Sequence, residues 1–278
     1  MNPILYLGDD DDTRAAAYLC GVMCHFQLPY ERVNGSESPD VDFESKKYSI
    51  YIISDYPSSK FLPGQMEHIV QAVYEGAGIL MIGGWDSFYG KNGEYHNSPL
   101  ADILPIKMSD HDDRRNSYQP LFLRKLRSHP IVDGLPWSVP PSIGGFNAIT
   151  PKPSSTVLLD AVRLDVRITN DDDEVADCRN ETACKAGGYQ LINRATLDLK
   201  LGDTVTLSEV ESVPLLVVGT YGAGKTAALA TDVAPHWVGG LVDWGNSRIV
   251  QKVGNGSVDI GDTYAKFLYN LVTEVAEQ

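Results

Sequence analysis

The sequence has 278 residues, 43% of them hydrophobic, and 37 acidic against 23 basic residues give a formal net charge of -14. A chain of this length and composition can bury a core without disulfides or metals. The acidic balance argues against a nucleic-acid partner, because phosphate backbones are bound by basic surfaces. No apolar run approaches the roughly 20 residues of a membrane helix, and no signal peptide is visible. We therefore expect a cytoplasmic protein without a membrane partner.

Strand and helix patterns alternate in the N-terminal part of the chain. The apolar runs ILYLG, SIYIIS and ILMIGG predict buried strands, and the segments between them carry apolar residues at helical spacing. Strands and helices that alternate in this way are typical of parallel strands joined by crossover helices. The sequence therefore predicts an α/β fold with an open, covered sheet.

The rest of the chain is less regular. Residues 107–153 are rich in proline, glycine and charge, which predicts long ordered loops over one edge of the sheet. Residues 157–213 alternate polar with apolar side chains and predict a β-rich insertion at about 160–213. The chain closes with the apolar runs PLLVVGTY and KTAALATD and with an amphipathic helix that begins at Asp262.

The stretch GTYGAGKT, residues 219–226, fits the phosphate-loop pattern G-x-x-x-x-G-K-[ST]. A phosphate loop leads directly into a long helix, whereas here the short run AALATDVA precedes Pro235. We therefore predict a β-hairpin with a glycine turn. A P-loop ATPase is kept as a third hypothesis, which predicts stabilisation by ATP with magnesium that disappears in Lys225→Ala.

Several motifs occur in a shared order along the chain. They are SDYP, ILMIGGWDSF, HNSP and LADILPI within residues 49–106, then DDR, HPIVDGLPW, GGFN, PLLVVGTYGAGK and TDVAPHW. In this order they resemble the glutamine amidotransferase-like branch of the class I glutamine amidotransferase superfamily. The resemblance implies one domain over residues 1–278, with a flavodoxin-like open parallel sheet covered by helices on both faces.

The sequence departs from the superfamily at the nucleophile. True class I amidotransferases carry a cysteine on the sharp turn after a central strand, whereas here ILMI runs into Gly83, Gly84 and Trp85. Cys20 and Cys24 fall in the first predicted helix, and the other two cysteines, Cys178 and Cys184, fall in the insertion. All four are interpreted as structural thiols. We therefore expect no glutaminase chemistry.

Ligands of open α/β sheets bind beyond the carboxyl ends of the strands. Those ends carry Asp9, Asp55 and, if its strand joins the sheet in parallel, Asp232. Clustered carboxylates suit a hard cation or a hydroxyl-rich ligand. Asp9, the first of four consecutive aspartates, is interpreted as part of a solvated helix-capping run. For Asp55 and Asp232, a ligand-binding role and a capping role are both kept.

Further candidates lie beside these strand ends. The amides of Gly83 and Gly84 could form an anion cradle or only a tight turn, and the Trp85 ring could stack on a sugar or pack in the core. Ser87 is the hydroxyl nearest this turn. His236 is the candidate general base. The predicted ligand-binding set is Asp55, Gly83, Gly84, Trp85, Ser87, Asp112, Arg114, Asp232 and His236.

Two functions from different classes fit this sequence. The leading hypothesis is a non-catalytic protein that binds a small polar molecule, carbohydrate-like in chemistry, at the strand ends. The alternative is a hydrolase or other enzyme acting on a hydroxylated small molecule, with Asp232 and His236 as acid and base. No cofactor and no metal ligand set are assigned. Homo-oligomerisation is compatible with both hypotheses, but the sequence identifies no interface.

Overall fold

A nine-stranded sheet organises the part of the chain that the computed structural model describes, residues 2–9, 13–43, 46–169 and 204–276. The strands of the protein are β1 (Ile4–Gly8), β2 (Tyr30–Val33), β3 (Ile50–Ser54), β4 (Gly78–Ile82), β5 (Ile106–Lys107), β6 (Arg114–Lys125), β7 (Ser142–Asn147), β8 (Thr150–Pro151), β9 (Thr156–Thr169), β10 (Thr204–Tyr221), β11 (Gly224–Leu229), β12 (Arg248–Val253) and β13 (Gly256–Gly261). The helices are α1 (Ala16–His25), α2 (Gln65–Glu75), α3 (Pro99–Ile103), α4 (Pro235–Val242) and α5 (Asp262–Val275).

The strand order in the main sheet is β2-β1-β3-β4-β11-β10-β9-β6-β7. The first five strands are parallel to one another, and the last four are paired antiparallel. Every residue of β1, β3 and β4 is buried, so both faces of the sheet are covered there. The α/β fold class is confirmed, with the flavodoxin-like parallel arrangement confined to half of the sheet.

The C-terminal helix lies where the sequence predicts it. Helix α5 begins at Asp262, and its predicted inward-facing side chains are all buried. They are Tyr264, Phe267, Leu268, Leu271 and Val275. None of the helices in the described ranges combines the length and the apolar character needed to cross a bilayer.

The prediction of long loops over residues 107–153 is wrong. This segment contains β6 and β7, which form the far edge of the main sheet. Their periodicity is weak because β6 is half exposed and contains Pro120, and because β7 carries two consecutive glycines, Gly144 and Gly145. Strands with these features lack the alternation that local pattern analysis relies on.

The predicted β-rich insertion at about 160–213 lies partly outside the described residues, which exclude 170–203 together with Cys178 and Cys184. Its two described flanks belong to β9 and β10, which pair with each other along their length. The C-terminal half of β10 also pairs with β11, so both long strands belong to the main sheet.

The phosphate-loop match is a β-hairpin, as predicted. Tyr221 at the end of β10 pairs with Gly224 at the start of β11, and Gly222 has a φ of +58°, which glycine adopts without strain. Lys225 Nζ donates to the Glu274 carbonyl oxygen at 2.7 Å and to Glu274 Oε1 at 2.9 Å. The turn lies at the amino end of β11. It is therefore at the opposite end of the parallel strands from the candidate site residues.

We therefore expect Lys225→Ala to act on stability alone. The Lys225–Glu274 pair is partly exposed, so its loss should lower the free energy of unfolding by at most about 1 kcal/mol in urea denaturation. ATP with Mg²⁺ should shift the melting temperature no more than Mg²⁺ alone, in wild type and variant alike. An ATP-specific rise in the wild type that is lost in Lys225→Ala would restore the ATPase hypothesis.

Candidate functional site

Three carboxylates converge over the carboxyl ends of the parallel strands. Asp9 follows β1, Asp55 follows β3 and Asp232 lies just beyond β11, and one carboxylate oxygen from each lies within 4.8 Å of the others. Strand β4 lies between β3 and β11 and ends in Gly83 and Gly84. Because these glycines carry no side chains, carboxylates from both sides can meet above β4.

Asp9 is not the solvated capping residue that the sequence predicts. It is 3% exposed, and its carboxylate Oδ2 accepts a hydrogen bond from the hydroxyl of buried Tyr6. Its φ of +52° places it in the left-handed region, as does the φ of +45° at Asp55. Non-glycine residues in this region are uncommon and often mark functional sites.

The Asp55 carboxylate lies directly against the backbone of Gly84. A Cβ atom at position 84 would lie 2.0 Å from Asp55 Oδ1 and 2.6 Å from Oδ2. The carboxylate accepts a hydrogen bond from the Asp86 amide at 2.8 Å. Only glycine at position 84 permits this contact.

Three amides of the turn after β4 are engaged within the protein. Gly83 N donates to the Leu229 carbonyl oxygen at 2.7 Å, and Gly84 N donates to Asn147 Oδ1 at 2.9 Å. Asp86 N binds the Asp55 carboxyl group. The acidic group that the turn holds is therefore a side chain of the protein itself.

A second layer of buried polar groups supports the turn. Asn147, at the end of β7, also donates from Nδ2 to the Gly84 carbonyl oxygen at 3.1 Å and to Asp113 Oδ1 at 2.8 Å. Asp113 in turn accepts from the amides of Tyr89 and Gly90 at 3.1 and 3.0 Å. Both side chains are fully buried. Asn147, from the antiparallel part of the sheet, thus fixes the Gly84 backbone that the Asp55 carboxylate contacts.

Asp232 is fully buried at the start of α4. Its Oδ1 accepts hydrogen bonds from the amides of Val233 and Ala234 at 2.5 and 2.9 Å. His236, one turn further on, places Nε2 3.0 Å from Asp232 Oδ2, although the contact lacks hydrogen-bond geometry. The His236 side chain is about half exposed, and its partial burial lowers its pKa.

The rim of the site carries an aromatic ring and a cation. Trp85 is 47% exposed, and the Arg114 guanidinium lies 4.7 Å from its ring centroid. Arg114 forms a two-pronged ion pair with Asp112, at 2.9 and 2.7 Å. This pairing lowers the pKa of Asp112 to about 2. The three residues form a stacked, ion-paired wall beside the turn after β4.

Ser87 is buried and structural. Its Oγ accepts a hydrogen bond from the Asp55 amide at 2.9 Å. The hydroxyl therefore helps to hold Asp55 in its left-handed backbone conformation. No histidine pairs with Ser87 among the contacts of the described residues, so a triad nucleophile has no support at this position.

Burial and mutual repulsion disfavour ionisation of the cluster. Burial, followed by the nearby charge of Asp9, raises the pKa of Asp55 to about 7. The pKa of Asp232 is raised well above its ordinary value by burial and by the charges of Asp55 and Asp9. Asp55 keeps partial access to solvent, whereas Asp9 and Asp232 are buried. The cluster is thus an acidic pocket that solvent reaches past Asp55 and that could hold a proton or a cation.

The structure brings the predicted residues Asp55, Gly83, Gly84, Trp85 and Ser87 together at one turn. Asp232 and His236 approach it from beyond β11 and from α4, and Asp112 and Arg114 approach it from the start of β6. Sequence reasoning misses Asp9 as a member of the cluster, and it misses Asn147 and Asp113 as its support. The motif GGFN contains Asn147, but nothing local to it indicates a contact with Gly84, 63 residues away.

One family model matches the sequence of this chain. The sequence profile of the family described as "Putative glutamine amidotransferase" matches residues 46–167 and 191–252, which is more than half of the chain. Comparison with curated proteins gives no match.

Two solved structures share the fold over nearly the whole chain. Cytoplasmic protein STM3548 from Salmonella typhimurium is 21% identical, with a TM-score of 0.68 over 99% of this chain and 100% of its own. Cytoplasmic protein STM1381 from Salmonella typhimurium LT2 is 22% identical, with a TM-score of 0.66 and the same coverage. At these identities the likeness establishes the fold.

The contact at Gly84 predicts a strong coupling between two positions. Gly84→Ala should lower the free energy of unfolding by about 2–3 kcal/mol, because the added methyl group overlaps the Asp55 carboxylate. In an Asp55→Ala background, which removes the overlapping atoms, the same change should cost less than about 1 kcal/mol. Urea denaturation of the four proteins measures this. Gly144→Ala, whose Cβ would meet only the Trp237 carbonyl oxygen at 3.8 Å, is the control. Equal costs in both backgrounds would contradict the contact.

The raised pKa of Asp55 predicts a pH-dependent stability. Between about pH 4 and pH 7 the unfolded chain ionises this carboxyl while the folded protein keeps its proton, so the Asp55 contribution falls as the pH rises. Asp55→Asn has no carboxyl group to ionise at this position. The free energy of unfolding of Asp55→Asn, relative to that of wild type, should therefore rise from pH 5 to pH 8, by a few kcal/mol at most.

Urea denaturation at both pH values, in buffer with EDTA, measures this difference. Asp112→Asn is the matched control, because the low pKa of Asp112 keeps it ionised at both pH values. A stability difference between Asp55→Asn and wild type that is the same at pH 5 and pH 8 would refute the assignment.

Proposed function

The chain belongs to the glutamine amidotransferase-like family, and from this premise we propose that it binds a small, hydroxyl-rich ligand of carbohydrate-like chemistry without hydrolysing glutamine. One observation carries the proposal, namely the convergence of Asp9, Asp55 and Asp232 at the carboxyl edge of the parallel strands. This edge is where open α/β sheets take their ligands.

The surroundings of the cluster support a polar ligand with an apolar face. Carboxylate oxygens accept hydrogen bonds from hydroxyl groups, and the half-exposed Trp85 ring beside them offers a stacking surface for a sugar ring. Arg114 already stacks on one side of this ring. A ligand would rest on the remaining exposed part of Trp85 and direct its hydroxyl groups towards Asp55, the member of the cluster that solvent reaches.

The absence of glutaminase chemistry is part of the proposal. Glutamine hydrolysis by this family fold needs a cysteine thiolate on the turn after the central strand, and Gly83, Gly84 and Trp85 occupy that turn. Of the described cysteines, Cys20 and Cys24 lie in α1, and burial raises the pKa of Cys20 to about 12. A cytosolic location accords with the names of the two structural neighbours, both of which are cytoplasmic proteins.

An enzyme acting on the same ligand class is the second candidate, and the Asp232–His236 contact favours it. His236 Nε2 lies 3.0 Å from Asp232 Oδ2, and partial burial lowers the His236 pKa. At neutral pH the imidazole is therefore neutral and able to accept a proton from a hydroxyl group or a water molecule. Asp232, whose pKa burial raises, would act as the acid beside this base.

A thermal-shift screen of sugars, polyols and sugar acids, run in EDTA, tests the proposal. A ligand at this site should raise the melting temperature of the wild type, and Trp85→Ala should weaken its binding by about tenfold, the equivalent of one stacking contact. Tyr74→Ala is the matched control, since Tyr74 is similarly exposed but lies beside the β10–β11 turn at the opposite edge. Equal weakening by both variants would argue against the site.

Turnover assays on any hit separate the two candidates. The binding protein should return every ligand unchanged, and it should release no glutamate from glutamine. The enzyme should transform a hit in the wild type and lose that activity in His236→Ala while keeping its affinity. Glutamate release would overturn the claim that glutaminase chemistry is absent.

A further inference from the structure

We propose that Asp9, Asp55 and Asp232 form a binding site for a hard divalent cation, of the class of Ca²⁺, Mn²⁺ and Mg²⁺. This inference goes beyond the organic ligand proposed above and does not depend on it, because the cation would be bound by the side chains of the protein alone.

The spacing of the carboxylate oxygens fits a shared ion. One oxygen from each residue lies within 4.8 Å of the other two. Three oxygens no more than 4.8 Å apart have a common centre at most about 2.8 Å from each of them, so inward shifts of a few tenths of an ångström bring all three to the roughly 2.3–2.6 Å of Ca²⁺ ligands. The smaller Mg²⁺, whose ligands lie at about 2.1 Å, would need larger shifts.

Each carboxylate is held in place by a donor from the protein. Asp9 Oδ2 accepts from the Tyr6 hydroxyl, Asp55 Oδ1 accepts from the Asp86 amide, and Asp232 Oδ1 accepts from the two amides at the start of α4. Such outer donors orient metal-binding carboxylates and reduce the ordering cost of binding.

Asp232 supplies an independent sign of a missing partner. The residue is fully buried, and its Oδ2 accepts no hydrogen bond from the residues that the structure describes. His236 Nε2 lies 3.0 Å away but not in hydrogen-bond geometry. Buried polar atoms are rarely left unsatisfied, because desolvation without a partner is costly. Since Oδ1 is occupied by backbone amides, Oδ2 is the oxygen available to a cation in the cluster.

The charge balance points the same way. Within the described ranges, neither Asp55 nor Asp232 has a lysine or arginine at ion-pair distance. Arg32 is close, but its guanidinium contacts the carbonyl oxygens of Gly8 and Asp9, at 3.4 and 3.5 Å. A divalent ion would supply the positive charge that buried carboxylates require.

The donor set defines the kind of ion. All three groups in the cluster are carboxylates, and hard oxygen donors favour Mg²⁺, Ca²⁺ and Mn²⁺ over the softer ions that thiolates and imidazoles select. Asp55 is the least buried of the three, so an ion would approach the cluster from its side.

Titration of the full chain with the metal alone tests the proposal. Protein treated with EDTA and then dialysed free of it is titrated by calorimetry with CaCl₂, MnCl₂ and MgCl₂ at constant ionic strength, with no organic compound present. We expect one saturable site for at least one of these ions, with a dissociation constant below the millimolar range, and a melting temperature that rises with its concentration. Tb³⁺, a Ca²⁺ substitute, should show luminescence sensitised by Tyr6, whose hydroxyl contacts Asp9.

Isosteric variants locate the site. Asp55→Asn and Asp232→Asn should each weaken binding at least about tenfold, because each removes one anionic ligand while keeping the side-chain shape. Asp133→Asn, which alters a partly exposed carboxylate paired with Lys125 outside the cluster, should bind as the wild type does. Circular dichroism and the unfolding midpoint in EDTA establish that the variants are folded.

Two outcomes overturn the inference. One is the absence of saturable binding for all three ions up to 10 mM, a limit about tenfold above the weakest protein Ca²⁺ sites. The other is binding that Asp55→Asn and Asp232→Asn leave unchanged. Either would leave the hydroxyl-rich ligand untouched, because that screen is performed in EDTA.

Discussion

The contact between the Asp55 carboxylate and the backbone of Gly84 is the constraint on which the rest of the site depends. A side chain at position 84 would occupy the place of the carboxylate. With glycine there, the carboxyl group of Asp55 accepts a hydrogen bond from the Asp86 amide, and the carboxyl groups of Asp9 and Asp232 complete a cluster above β4. The buried pair Asn147 and Asp113 then holds the Gly84 backbone from the other side.

This arrangement changes the meaning of the turn after the central strand. In the superfamily that the sequence resembles, amides near this turn stabilise an oxyanion during catalysis. In this protein an amide of the turn binds the side-chain carboxyl group of Asp55. The group that the turn binds thus comes from the neighbouring strand. The site therefore presents side-chain carboxyl groups to a ligand, where an amidotransferase would present backbone amides.

The parts of the fold that could be predicted from sequence are those with strong local signals. Buried strands such as ILYLG and ILMIGG, the amphipathic helix from Asp262 and the glycine turn at Gly222 each have a pattern that a few neighbouring residues determine. The general rule for strand carboxyl ends also located Asp55 and Asp232. Strands β6 and β7 could not be predicted, because the half exposure of β6, its Pro120 and the two glycines of β7 remove the alternation of polar and apolar side chains.

The burial of Asp9 and the role of Asn147 could not be predicted for a different reason. A run of four aspartates is ordinarily solvated, and only the left-handed backbone at Asp9, together with the Tyr6 hydroxyl, turns the first of them inward. Asn147 acts across 63 residues of sequence. Such contacts depend on strand order in the sheet, which is a long-range property without a local pattern.

The glycines after β4 also limit which side chains the turn can accept. A Cβ atom at Gly83 would lie 2.6 Å from Asn147 Oδ1 and 2.8 Å from the Ala230 carbonyl carbon, and one at Gly84 would meet Asp55. A cysteine introduced at either position by a single mutation would therefore clash with its neighbours. A nucleophile engineered into this turn would need a compensating change at a second position, such as Asp55 or Asn147.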